Sequence, residues 1–303
     1  MESRPDQRLL LVHAHPDDES INNGATMARY VAEGRGVTLV TCTLGEEGEV
    51  LVPDLEHLAS AQDDRLGEHR IEELTEAMAA LGVSDFRFLG GPGRFRDSGM
   101  QWDETGHARP LATVRDDTFW RADLTEAADL LVEVIREVQP QVLVTYDQFG
   151  NYGHPDHVQA HRVATYAAAL AAVPSYRKDL GEPWDVAKIY WTCMSATMFR
   201  EGAKLLAEAG LDHPFEWFDP ENLPAFFFED EDIACAVHAP EYSDAKMAAL
   251  AAHRTQISTD GPFFALSNNV GSQVWATEYY RLAKGTRGPV DDRGWESDLF
   301  AGL

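Results

Sequence analysis

This 303-residue chain is poor in cysteine and in basic residues, and it has no long hydrophobic run. Cys42, Cys193 and Cys235 are odd in number, scattered and never in a C-x-x-C pair, which excludes a disulfide framework and a thiolate zinc site. Any metal must then be held by nitrogen and oxygen. Only 25 bases face 51 acids, a formal charge of −26, so nucleic acid and anionic membrane surfaces are repelled rather than bound. The polar start, MESRPDQR, precedes a short apolar run, too short for a signal-peptide core or a membrane span, so a soluble cytoplasmic protein is expected.

Three familiar motifs are also missing. A nicotinamide enzyme needs G-x-G-x-x-G in its first strand-to-helix turn, so that backbone amides can approach the pyrophosphate. Here that turn reads HAHPDDES, residues 13–20, whose three acids repel phosphate. The phosphate loop ending in Gly-Lys-Ser/Thr does not occur. Neither does G-x-S-x-G, which a serine hydrolase built on Ser20 or Ser98 would require.

What is present is an ordinary globular composition, 44% hydrophobic and 25% charged, in a chain long enough for a substantial core. Segments 8–13 (RLLLVH), 37–43 (VTLVTCT), 86–89, 141–146 (QVLVTY) and 188–192 (KIYWT) read as strands. Segments 23–34, 64–81, 123–138, 155–172 and 243–253 read as helices; in 64–81, Ile71, Leu74, Met78 and Leu81 recur at helical spacing with Gly82 just beyond. Alternating strands and helices predict an α/β fold with a doubly wound, mostly parallel sheet. After about residue 180 the rhythm weakens, and aromatic clusters such as Trp217-Phe218 and Phe226-Phe227-Phe228 lie among acids. The expected division is a Rossmann-like core over 1–180 and a smaller irregular subdomain over 181–303 that completes the pocket.

In such a sheet, ligands bind outside the carboxyl ends of the strands. The loops placed there are HAHPDDES (13–20), LGEEGE (44–49), GGPGRFRDSG (90–99) and DQFGNYGHPDH (147–157), all rich in groups that coordinate or titrate. His15, Asp18 and His157 supply three nitrogen and oxygen ligands, the set of an open catalytic zinc site with room for water. Zn²⁺ is the expected ion, one per subunit, and Fe²⁺ suits the same ligands. Acids at this place also start a helix, so a simple capping role competes for Asp17 and Asp18. His13 is expected to make a structural hydrogen bond, and His161, one turn after His157, is the natural substitute ligand. His57, His69, His107, His213 and His238 lie outside the cluster. A non-catalytic metal- or sugar-binding protein would close the site with a fourth ligand, for which His13 or His161 is the candidate.

AHPDDE (14–19) and GHPDH (153–157) resemble the paired motifs of the zinc-dependent N-acetylglucosaminyl-phosphatidylinositol de-N-acetylase (LmbE-like) family. Longer stretches, VHAHPDDES, NGAT (23–26), VTCTLGEEGEV (40–50), GRFRDSGM (93–100), YGHPDH (152–157), ALSNN (265–269) and the terminal RGWESDLFAGL, resemble the members that remove acetate from N-acetylglucosaminyl-inositol in mycothiol biosynthesis. The resemblance implies that His15, Asp18 and His157 bind the metal and that Asp17 is the general base. It further implies that His154 is the acid or oxyanion partner backed by Asp156, that Tyr152 polarises the carbonyl, and that Arg70, Asp97 and Glu49 face sugar and inositol hydroxyls. Members that cut mycothiol S-conjugates carry a lysine soon after AHPDDES, where this chain reads Ile21-Asn22-Asn23. The partner implied is a small sugar-inositol molecule, and both a monomer and a homo-oligomer are compatible with the sequence.

Overall fold

The computed structural model describes residues 5–104, 107–208, 219, 221, 223–224, 226–258 and 276–303. The stretch 265–269, His213 and the pair Trp217-Phe218 lie outside the described residues. The first strand, β1 (Arg8–His13), is central, and Leu9, Leu10, Leu11 and Val12 are all fully buried, as expected for a parallel strand covered on both faces. It pairs in parallel with β2 (Gly36–Thr41), which pairs in parallel with β3 (Asp85–Phe88). After the small hairpin of β4 (Gln101–Trp102) and β5 (Ala108–Arg109), β6 (Val142–Thr145) returns to the other side of β1 and is followed by β7 (Lys188–Ser195). Strand β8 (Phe227–Phe228) pairs with the end of β7, and β9 (Cys235–His238) and β10 (Thr277–Lys284) complete the sheet in the order β3-β2-β1-β6-β7-β10-β9.

Five neighbouring strands are parallel and β10 runs antiparallel to both of its neighbours, so the doubly wound, mostly parallel reading holds. Side chains alternate across β1. Leu10 and Val12 join the core beneath α3 (Leu124–Val138) and α4 (Pro155–Ala171), while Leu9 and Leu11 join the core beneath α1 (Asp18–Ala32), α2 (Leu66–Leu81) and α6 (Ser243–Ala252). Helix ends follow local chemistry: Asp123 caps α3 by accepting from the amides of Thr125 and Glu126, a contribution of about 1 kcal/mol, and Gly82 closes α2 at φ 74°.

Helix α1 starts at Asp18, five residues before the 23–34 segment read from the sequence, because the motif acids Asp18 and Glu19 are themselves its first turn. The chain after residue 180 supplies β7, β9 and β10 to the same sheet, together with α5 (Ala196–Glu208). Among the described residues no helix is long and apolar enough to cross a membrane.

The last eleven residues lie against the sheet and α1. Buried Glu296 accepts from Lys188 Nζ at 2.6 Å, from Tyr190 Oη at 2.5 Å and from the Gly288 amide at 2.6 Å. Arg35 donates two hydrogen bonds to Asp298, at 2.8 and 2.6 Å, and its guanidinium lies 4.3 Å from the Tyr30 ring centroid. Burial opposes ionisation of Asp298, but Arg35 and the Phe300 amide hold its carboxyl below the usual carboxylate range. A carboxyl depressed in the folded state contributes stability above its unfolded pKa and loses it as pH falls through the folded one. Asp298→Asn should therefore lower unfolding stability by about 1–2 kcal/mol near neutral pH. In urea titrations that gap should shrink below about pH 4; a gap of the same size at both pH values would contradict the role given to the charge.

Candidate functional site

The strand order reverses between β1 and β6, the place where a doubly wound sheet opens a crevice at the carboxyl ends of its strands. The loop after β1 and the first turn of α1 carry His15, Asp17 and Asp18, and the loop after β6 and the first turn of α4 carry Tyr152, His154, Asp156 and His157. All seven meet there. Asp18 lies between two imidazoles, 3.3 Å from His15 Nδ1 and 3.3 Å from His157 Nε2. The other face of the His15 ring, through Nε2, meets Asp156 at 3.4 Å and Asp97 at 3.5 Å. His157 stacks on Tyr146, with ring centroids 4.1 Å apart and planes at 15°, and Tyr152 meets its edge at 5.1 Å.

His157 is buried; its Nδ1 has no hydrogen-bond partner, and its Nε2 has only the 3.3 Å contact with Asp18. Buried polar atoms are normally paired, and a buried imidazole whose only polar contact is a 3.3 Å approach to a carboxylate is what a metal-binding side chain looks like without its ion. Two buried groups among the described residues have donor atoms close enough to share one ion: His15, His154 and His157, and His15, Asp97 and Asp156. The residues fit a metal held by nitrogen and oxygen, as the cysteine pattern requires. Cys42 and Cys235 are buried and Cys193 half-buried, all three unpaired.

Asp17 is the N-cap residue of α1, but its side chain makes no capping bond. Its backbone sits at φ 126°, a conformation that costs a non-glycine residue about 1–3 kcal/mol, so the surrounding structure must hold it there. Arg70 does much of this: from α2 it donates to Gly45 O at 2.8 Å, to Pro16 O, and to Asp17 Oδ2 at 3.0 Å.

Electrostatics divide the neighbouring carboxylates. Burial pushes the Asp17 carboxyl up to about 6, against the pull of Arg70 and with added repulsion from Asp18. For Asp18 burial acts the same way but is outweighed by His157 and His15, which hold it well below the usual range. Burial alone would lower His15, yet the carboxylates of Asp97, Asp156 and Asp18 raise it well above the ordinary histidine value. A cation bound here displaces that proton. His154 is pushed well down by burial and by the like charges of His15 and His157, and Tyr152 is pushed up by burial and by Asp18. His154 is therefore a neutral ring and Tyr152 a protonated hydroxyl.

Several expected roles look different once side chains are placed. Asp156 does not back His154 with its carboxylate, which accepts from Ser98 N at 2.8 Å, from Ser98 Oγ and from His15; only its backbone amide reaches His154, donating to Nδ1 at 3.1 Å. Burial pushes its carboxyl up. Arg70 borders the cavity, but its terminal nitrogens are engaged with backbone and with Asp17 rather than free for hydroxyls. Asp97 accepts from the amides of Glu47 and Gly99 and borders the cavity beside His15, whose charge holds it below the usual range although burial opposes this. Glu49 is exposed at the rim.

His13 makes the structural hydrogen bonds expected of it, to Tyr146 Oη at 3.1 Å and Asn23 Oδ1 at 2.7 Å. His161 bonds the Tyr146 carbonyl at 3.0 Å, away from the cluster. Both are committed to these bonds, so neither is the fourth ligand that a closed, non-catalytic site would need from them. The cavity beside it, about 540 Å³, is walled by Asn22, Asn151 and Gln256 and by apolar Met100, Met194 and Phe226. Sequence reasoning missed Tyr146, which lies at a strand end like many buried tyrosines, and Gln256.

Residues 10–168 match the family model described as PIG-L, GlcNAc-PI de-N-acetylase. Over 299 residues, 98% of this chain and 99% of the relative, the sequence is 67% identical to a Nocardioides sp. 1D-myo-inositol 2-acetamido-2-deoxy-alpha-D-glucopyranoside deacetylase. It is 64% identical to the Kribbella flavida protein of the same name over 100% of both chains. The fold is similar to that of the N,N'-diacetylchitobiose deacetylase from Pyrococcus horikoshii, with a TM-score of 0.60 and 18% identity over 92% of this chain and 84% of that one. With both histidine-acid motifs meeting at one switch point and full-length relatives at this identity, the chain belongs to the PIG-L (GlcNAc-PI de-N-acetylase) family.

Proposed function

We propose that this protein is a metal-dependent amide hydrolase that removes acetate from 1-O-(2-acetamido-2-deoxy-α-D-glucopyranosyl)-1D-myo-inositol, the deacetylation step of mycothiol biosynthesis, in the cytoplasm. The observation that carries the reading is the pairing of a buried cluster of histidines and acids with the Asp17 carboxyl, turned to the adjoining polar cavity, in a chain that shares 67% identity with a deacetylase of that name. The substrate is polyhydroxylated and uncharged, which a strongly acidic protein accommodates without repulsion.

His15, Asp18 and His157 would hold the ion, Zn²⁺ in the first instance. Asp18 stands between the two imidazoles, and His15 has its second nitrogen on Asp156 and Asp97, the outer carboxylates that typically fix the tautomer of a metal-binding histidine. A bound Zn²⁺ supplies Lewis acidity toward the carbonyl oxygen and lowers the pKa of water from about 15.7 toward roughly 7. Asp17, with its carboxyl near 6, is suited to take the proton of the attacking water and to return it to the departing amine. His154 accepts the Asp156 amide on Nδ1, so Nε2 carries its proton. That N–H and the Tyr152 hydroxyl are donors for the oxygen that gains negative charge.

Of Ile21-Asn22-Asn23, the stretch in which the conjugate-cleaving members carry a lysine, Ile21 and Asn22 lie on the cavity wall. A neutral wall there favours the smaller, uncharged sugar-inositol over a thiol conjugate. The segment after residue 180 completes the pocket through Met194, Phe226 and Gln256.

Purified protein incubated with N-acetylglucosaminyl-inositol should release acetate and a free amine, lose that activity in chelator and regain it with added Zn²⁺. Turnover confined to a mycothiol S-conjugate would overturn the substrate, and turnover indifferent to chelator would overturn the metal. Asp17→Asn should lower kcat by about a thousandfold with bound metal unchanged, and Tyr152→Phe by about a hundredfold. Near-normal acetate release from Asp17→Asn would remove the base from the scheme.

A further inference from the structure

Residues 253–256, His-Arg-Thr-Gln, follow α6 and pass between the first turn of α1, the middle of α2 and the loop after β2. His253 is completely buried, and its Nε2 lies 2.9 Å from Oε1 of Glu19, itself completely buried. The other oxygen of that carboxylate, Oε2, accepts the backbone N–H of Asp17 at 2.9 Å. Two residues on, Thr255 donates to Glu73 from both its amide, at 2.9 Å, and its hydroxyl, at 2.7 Å, while its carbonyl accepts from the Leu51 amide at 2.9 Å. One short segment thus fastens α1, α2 and the pocket rim together.

The bond to the Asp17 amide matters because of where Asp17 sits. A helix N-cap carboxylate ordinarily turns back onto the first-turn amides. Asp17 does not. Glu19 takes over the backbone side of the job, and the N-cap residue remains at φ 126° with its carboxylate turned to Arg70 and the cavity. Arg70 grips the carbonyl of Pro16 and the Asp17 side chain, and Glu19 grips the Asp17 amide, so the strained peptide is held from both sides.

Ser20, His253 and Glu19 superficially form a nucleophile, base and acid, since Ser20 Oγ lies 3.4 Å from His253 Nε2. The geometry is against it. The Ser20 hydroxyl donates to Glu19 Oε1 at 2.5 Å rather than to the imidazole, and all three side chains are fully buried and absent from the cavity wall. The group has no access to substrate. What it can do is orient.

We propose that His253, acting through Glu19, is a positioning residue for Asp17: the pair fixes the Asp17 peptide in the conformation that points its carboxylate into the cavity. The inference rests on the reading of Asp17 as the general base. Misplacing a reacting group by about 1 Å costs on the order of a hundredfold in rate without changing substrate affinity.

Four variants test it, each assayed for kcat, KM and bound zinc: Glu19→Leu, which removes both acceptors at similar volume; Glu19→Gln, which keeps one; His253→Phe, which fills the site without the bond; and Asp17→Asn as reference. Glu19→Leu and His253→Phe should each lower kcat about thirtyfold to a hundredfold with KM and zinc within about twofold of wild type. Glu19→Gln should recover most of the loss, and Glu19→Leu combined with His253→Phe should be no worse than the worse single variant. If Asp17→Asn is inactive while His253→Phe and Glu19→Leu stay within about threefold of wild type, the positioning role is wrong and the base assignment stands. Loss of zinc, or a rise in KM that accounts for the whole defect, also overturns it. If Glu19→Leu does not fold, Glu19→Gln and His253→Phe decide alone, since equal and severe losses in both would deny the rescue. An active Asp17→Asn would instead remove the base reading on which the proposal rests.

Discussion

The parallel pairing of β1 with β6 is the constraint on which the site depends. Two strands far apart in sequence run side by side and end together, and each is followed by a loop carrying a histidine, a proline and acids. Because the sheet reverses its winding between them, no helix crosses that gap, and the two loops face one another in the crevice. The 3.3 Å contacts of Asp18 with His15 and His157 are a consequence of strand register: Leu9 opposite Val142 brings β1 and β6 to the same edge at His13 and Tyr146.

The site gathers several carboxylates and imidazoles with little solvent. Such a cluster is unfavourable unless charges are paired or bound to a cation. The chain resolves it by separating functions among adjacent residues. Asp18 is committed to the imidazoles, Asp97 and Asp156 lie behind His15, and Asp17 is left at the cavity with its pKa raised. Neighbours in sequence diverge because Asp17 is outside the helix at positive φ, whereas Asp18 is its first residue. Asp17 thus occupies the cap position without capping, and Asp18 opens the helix while facing the imidazoles.

Much of this was legible in the sequence because it depends on short-range pattern. The apolar runs of β1, β2 and β6 and the helical spacing within α2 and α3 located the sheet, and the loop rule then located the loops that meet in the crevice. His13 could be read as structural because it ends a buried strand. What failed depended on side-chain direction. Asp156 follows His154 closely, yet its carboxylate turns to Ser98 on a loop more than fifty residues earlier. Arg70 sits on a helix full of acids, where a solvated face is the ordinary expectation, but it is buried against Pro16 and Gly45. β10 escaped notice because its sequence, TEYYRLAK, mixes charge with aromatics near the edge of the sheet, and His253 looked like no more than a helix end.

The central claim is the division of labour among the motif acids, and the position of the metal tests it most directly. Anomalous scattering from a crystal loaded with Zn²⁺ should show a single peak within about 2.0–2.2 Å of a nitrogen of His15, a nitrogen of His157 and an oxygen of Asp18, with Asp17 outside bonding distance. A peak bound by His15, Asp97 and Asp156, or one that includes Asp17, would contradict the account.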